Sequence, residues 1–166
     1  AMLCIDSRYR AAFGFCFAGM FVCLLSAYLN TFFSNYYGAD PMNATTQIAP
    51  VVEEIMKLLP LLFFMVVFEP KSGEFRLAAT AASFATFENI CYLTENGAEQ
   101  IVFLLIRGFG TGAMHVVCGS AYSEGLRFVW KNRLLRDVCI PGLLCVTIIY
   151  HAIYNLLVSV GGTCRL

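Results

Sequence analysis

The run Pro50-Val51-Val52-Glu53-Glu54-Ile55-Met56-Lys57 sets three charges at the head of an apolar stretch that continues from Leu58 to Phe68. A charged side chain at the centre of a membrane helix costs roughly 2.5–3.5 kcal/mol on insertion scales, so ionisable residues in such a setting point to function. On a helix Lys57 lies one turn from both Glu53 and Glu54, where it neutralises one carboxylate and leaves the other for chemistry. Later apolar segments carry Glu88, Arg107, His115, His151 and Asn155, with Tyr92 one turn beyond Glu88. Carboxylates beside imidazoles can activate water and move protons. The same donors can hold a divalent metal through three protein ligands, or form an ion relay across a membrane.

Five apolar segments must position these groups. The chain is 59% hydrophobic and 13% charged, with a mean hydropathy of +0.71, the composition of a polytopic membrane protein. Its formal net charge is zero, which argues against a nucleic-acid partner, because phosphate binding needs clustered excess Lys and Arg. The predicted fold is an all-α bundle and a single domain over residues 1–166, with spans near 11–33, 50–69, 75–94, 100–122 and 138–160. Pro50 suits a first helical turn, Pro60 should kink the second span, and residues 38–47 read as an exposed loop. Close helix packing is expected at Ala78, Ala81, Ala82 and Ala85 and at Gly108-x-x-x-Gly112. Six of the eight cysteines fall in apolar segments with no C-x-x-C pair and read as packing residues. Eight of the eleven Lys and Arg residues flank spans on one side, which predicts an N-terminus inside and a C-terminus outside.

This topology fixes relative depths. Glu53 and Glu54 lie near the outer end of the second span, Glu88 and Tyr92 in the outer half of the third, and Arg107 in the outer half of the fourth. His115 is slightly past the middle of its span, and His151 near the middle of the fifth, with Asn155 one turn further out. At 1.5 Å rise per residue all of them converge on a polar pocket opening outward. Each alone also reads as a hydrogen-bonded packing residue, but two histidines and three glutamates on four spans are too many unpaid insertion penalties for a scaffold.

Glu53-Glu54-x-x-Lys57, Phe87-Glu88-x-x-x-Tyr92, a span with Arg107 and His115, and His151-Ala152-Ile153-Tyr154-Asn155 follow one another over roughly residues 50–160. This series resembles the PrsW family of glutamic-type intramembrane proteases. The wider group of CAAX prenyl endopeptidases and bacteriocin-processing membrane proteases carries E-E-x-x-x-R, F-x-x-x-H and H-x-x-x-N. Here Lys57 stands one position before that arginine and Glu88 stands in place of the first histidine, which favours the PrsW type. The resemblance implies an intramembrane endopeptidase of the bacterial cytoplasmic membrane that cuts a single-span membrane protein, such as an anti-sigma factor, near its extracytoplasmic side.

Peptide hydrolysis needs an activated water, a stabilised oxyanion and a proton for the leaving amine. The expected division of roles has Glu53, or else Glu54, as general base, with Glu88 and His115 orienting water or passing the proton. His151 and Asn155 would donate to the oxyanion, supported by Lys57, Tyr92 and Arg107. This mechanism needs no cofactor. A zinc-dependent variant, with ligands drawn from Glu54, Glu88, His115 and His151, is its alternative. An ion-coupled transporter is the reading from another class, although the inverted repeats usual in transporters are not detectable.

Overall fold

The computed structural model describes residues 7–68, 74–96 and 101–163, and the regular structure among them is entirely helical. The long helices are α1 (Ser7–Tyr37), α2 (Ala49–Phe68), α3 (Glu74–Asn96), α4 (Ile101–Val129) and α5 (Arg133–Thr163). Each coincides with one expected span. Helices α1, α4 and α5 run about a turn or more past the expected ends, because hydropathy marks where lipid begins whereas backbone bonding continues until a cap stops it.

The segment expected as a loop is instead mostly helical. Gly38, at φ +61°, ends α1, with its N–H on Asn35 O at 3.3 Å and the Ala39 N–H on Ser34 O at 2.9 Å. These are the two bonds of a Schellman cap, which needs a left-handed residue. Helix restarts at once, because the Asp40 carboxylate accepts the Asn43 N–H at 2.8 Å and Pro41 takes the first helical position. One α-turn (Pro41–Asn43) and one π-turn (Ala44–Ile48) lead into α2 without a break. Pro50 therefore sits inside a continuous helical path, and the path also continues through Pro60.

The helices form a ring in the order α1, α3, α4, α5, α2, and α2 also touches α3 and α4 across the interior. Two apolar clusters hold it. One joins Leu58, Leu61 and Met65 of α2 to Tyr122 and Leu126 of α4, with Leu143 and Leu144 of α5 against them. The other joins Val22 and Cys23 of α1 to Val52 and Met56 of α2 and Phe84 of α3. Close approach is made at Gly19, where any larger side chain would meet Ser83 and Thr80, and at Gly110, which lies against the Tyr154 ring. Of the expected G-x-x-x-G pair, Gly108 faces Asn89 and Gly112 faces open space. Ala81 and Ala85 are buried as expected, whereas Ala82 is exposed and the side chain of Ala78 lies outside the described residues. The six described cysteines are free thiols.

Among the described residues, two helices are long and apolar enough to cross a membrane, Phe13–Tyr37 and Arg133–Ser159, each with a mean hydropathy of 1.7. Large apolar side chains point away from the bundle, among them Phe21, Phe63, Val66, Phe109 and Leu157. Such a surface suits lipid. In α2 the apolar run is interrupted by Glu53, Glu54 and Lys57, all of which turn inward and are buried.

Candidate active site

Between the two apolar clusters lies one polar cluster to which every helix contributes. Helix α2 brings Glu53, Glu54 and Lys57, α3 brings Glu88, α4 brings His115 and α5 brings His151. Glu54 and His115 are wholly buried, at 0% exposure, and Lys57 and His151 nearly so. Glu88 is the most open member, with 23% of its side chain exposed.

The contacts form a chain. Lys57 Nζ donates to Glu54 Oε1 and lies 2.7 Å from His115 Nδ1. An ammonium group only donates, so His115 accepts at Nδ1 and its ring proton sits on Nε2, which gives it to Glu88 Oε2 at 2.8 Å. Glu54 Oε1 also accepts from His151 Nδ1 at 2.9 Å, which places the second imidazole's proton on that nitrogen. His151 Nε2 is then an acceptor, and it faces Glu53 Oε2 at 3.8 Å. Two acceptors facing each other out of water repel unless a cation or proton lies between them. Glu53 Oε2 and Glu54 Oε2 are both buried with no hydrogen-bond partner among the described residues.

The rings add geometry. His115 meets His151 edge to face with centroids 5.2 Å apart, and Phe84 packs on His115 at 5.1 Å. Lys57 Nζ stands 5.0 Å over the Phe84 ring, a cation–π contact that helps hold a charge out of water.

The structure brings Glu53, Glu54, Lys57, Glu88, His115 and His151 together. Tyr92 follows Glu88 by one turn and is half-buried. The backbone of Arg107 lies in α4, but its side chain is outside the described residues. Asn155 stands apart, since its amide donates to Thr45 O at 3.0 Å, in the π-turn ahead of α2. The sequence reading overlooked Asn30 of α1, whose Nδ2 donates to Glu53 Oε1 at 3.3 Å. Its signal was a lone amide in an apolar span, the same signal that marked Asn155. Another overlooked pair lies one turn deeper, where the Tyr122 hydroxyl bonds to the Thr147 hydroxyl beneath His151.

One subset could bind a metal. The ligand atoms of Glu53, His115 and His151 all lie within 4.8 Å of one another. Two imidazoles and one carboxylate make the three-ligand set of an open catalytic zinc site. In addition, Glu88 and Glu54 each hold one nitrogen of a histidine, as outer carboxylates do around metal-ligating imidazoles. The subset differs from the one expected. Glu53 takes the place of Glu54 and Glu88, each of which has one oxygen engaged by a histidine nitrogen.

Buried carboxylates and imidazoles gathered at the centre of an apolar helical bundle can activate water or relay protons. The sequence profile of the PrsW family intramembrane metalloproteases matches residues 7–165, nearly the whole chain, and the protein belongs to that family. No curated protein and no solved structure matches the chain.

Proposed function

We propose that this intramembrane protease is metal-dependent, with Glu53, His115 and His151 holding a divalent ion such as zinc. The observation that carries the reading is the pair of facing acceptors, His151 Nε2 and Glu53 Oε2, in a buried site. The family's description as metalloproteases supports it. When bound, such an ion acts as a Lewis acid and lowers the cost of deprotonating water at neutral pH. Lys57 Nζ, 2.7 Å from His115 Nδ1, would be the site's own competing cation if that nitrogen were offered to the ion.

The other residues divide the remaining work. Glu54 fixes the His151 tautomer through Oε1 and keeps Oε2 as the general base that takes the proton of the attacking water. Lys57 compensates the Glu54 charge and, as the cation of the cluster, stabilises the developing oxyanion. Glu88 fixes His115 by accepting a hydrogen bond from its Nε2, and Glu54 returns to the leaving amine the proton that it takes from water. Asn30 orients Glu53.

The substrate is a single-span membrane protein of the anti-sigma-factor type, cut near the extracytoplasmic end of its span, where water can satisfy backbone amides freed by unwinding. This assignment rests on five spans with the N-terminus inside. The basic flanks and the outward apolar faces of the bundle support that topology. Cysteines placed singly at Asn43 and Asn132 test it, since an impermeant maleimide should label position 43 and not position 132 in intact cells.

The mechanism is tested by incubating purified protein with a single-span substrate and reading the products by mass spectrometry. Cleavage should stop with 1,10-phenanthroline, return with zinc, and track about one bound zinc per chain. Full activity in metal-free protein would overturn the reading and return Glu53 to the role of general base acting alone.

A further inference from the structure

The ends of the α2–α5 seam are held differently. At its deep end Leu58 and Leu61 pack with Leu143 and Leu144. At its outer end, where α5 also packs on the π-turn, a hydrogen bond runs from Asn155 Nδ2 to Thr45 O at 3.0 Å. Along α5, Leu143, Thr147, His151 and Asn155 recur every fourth position; Leu143 and Thr147 also reach Gly125 and Tyr122 of α4, while His151 meets Glu54 of α2 and Asn155 the π-turn ahead of it. Asn155 is therefore one turn beyond the histidine that faces Glu53.

The acceptor it finds has a physical origin. In the π-turn the Ala49 N–H bonds back to Ala44 O, five residues earlier. In that register the donor for Thr45 O would be residue 50, which is proline and has no N–H. The Pro50 side chain is buried, whereas Thr45 and its bond to Asn155 are at the exposed outer end of the seam, so the amide competes there with water. The Asn155 amide satisfies that carbonyl from another helix and so joins the two elements directly.

We infer that Asn155 is a positioning residue: by filling the carbonyl that Pro50 orphans in the π-turn, it docks the start of α2 on α5 and so sets the Glu53–His151 spacing. The inference deepens the hydrolytic reading and rests on Glu53 and His151 being its reactive pair. Pro50 and Asn155 are two halves of one device. Pro50 leaves a carbonyl open in the π-turn ahead of α2, and Asn155 of α5 fills it, which ties the two elements together near the reactive level.

The test is a double-mutant cycle over Asn155→Ala and Pro50→Ala in the full-length purified protein, read in two ways. One is amide hydrogen exchange over residues 45–53, which does not depend on any mechanism, and the other is kcat and KM for a cleaved single-span substrate. Asn155→Ala should speed exchange in that segment about tenfold and lower kcat about tenfold with KM unchanged. In the Pro50→Ala background, where residue 50 can donate to Thr45 O itself, Asn155→Ala should change both readouts by less than about twofold. Asn155→Asp, similar in shape but without the donor, should behave as Asn155→Ala and so exclude lost volume as the cause.

Loss of kcat with unchanged exchange, or no rescue by Pro50→Ala, would overturn the inference and return Asn155 to a direct role at the oxyanion. Faster exchange with unchanged kcat would overturn it too, since the tie would then not position the site. Failure of the hydrolytic reading shows separately, as wild-type protein that cleaves no substrate while exchange still follows the cycle.

Discussion

The two halves of α2 both pack apolar side chains, Val52 and Met56 in the first and Leu58, Leu61 and Met65 in the second, but only the first adds buried charges. Residues 49–57 bury Glu53, Glu54 and Lys57, and each is fixed by one or two directional bonds to side chains on other helices or one turn away. Residues 58–67 bury Leu58, Leu61 and Met65 in a cluster where every side chain has several neighbours. In lipid the apolar half gains little from leaving its surroundings, because acyl chains are as apolar as leucine, so its stability comes from packing alone. Redundant packing tolerates a single loss, whereas a buried charge stripped of its partner has nothing to replace it. The polar half can thus be specific because the apolar half holds the helix still.

The largest effects should come from the reactive pair. Glu53→Gln and His151→Ala should each lower kcat about a thousandfold or more while helix content by circular dichroism stays unchanged. Both variants should also lose bound zinc, measured by mass spectrometry of the metal after gel filtration. Normal cleavage by Glu53→Gln would break the assignment of the polar half.

Next in size is the cost of unpairing a charge. Lys57→Met leaves Glu54, at 0% exposure, without its cation and should destabilise the fold by about 3–5 kcal/mol in a detergent unfolding titration. Adding Glu54→Gln should restore most of that stability without restoring activity. If Lys57→Met were as stable as wild type, Glu54 would not be a buried charge, and the contrast between the halves would fail.

Asn30→Ala gives a smaller effect. It removes the donor on Glu53 Oε1 and leaves the carboxylate itself, so kcat should fall about fivefold to tenfold with bound zinc near wild type. A change confined to KM would make Asn30 a substrate contact instead.

What the sequence made legible divides along the same line. Intramembrane charge is expensive, so Glu53, Glu54, Lys57, Glu88, His115 and His151 stood out by type, and counting along five spans placed them at one depth. Pairing was not legible. Glu53 and Glu54 are neighbours about 100° apart on the helix, and only the packing of α5 decides that Glu54 meets His151 Nδ1 while Glu53 meets the other face of the ring. Asp40-Pro41 carried a helix-start signal that composition masked, because its polar neighbours resemble a loop. Pro50 was legible as a helix residue but not as the origin of an orphaned carbonyl, which depends on a π-turn that sequence periodicity does not reveal.

The smallest effects test the apolar half, where two residues of one helix differ only in what surrounds them. Leu61 is 2% exposed and packs against α4, whereas Phe63 is 67% exposed and points out of the bundle. Leu61→Ala leaves a cavity that neighbouring helices cannot close, and should cost about 2 kcal/mol, near the low end for a buried leucine because the transfer part of that cost is absent in lipid. Phe63→Ala exchanges one lipid contact for another and should change stability by less than about 0.5 kcal/mol. Both should keep kcat within about twofold, because neither touches the polar cluster. A loss of several kcal/mol from Phe63→Ala would mean that this face is covered by protein instead of lipid, and α2 would then have to be moved from the rim of the bundle to its interior.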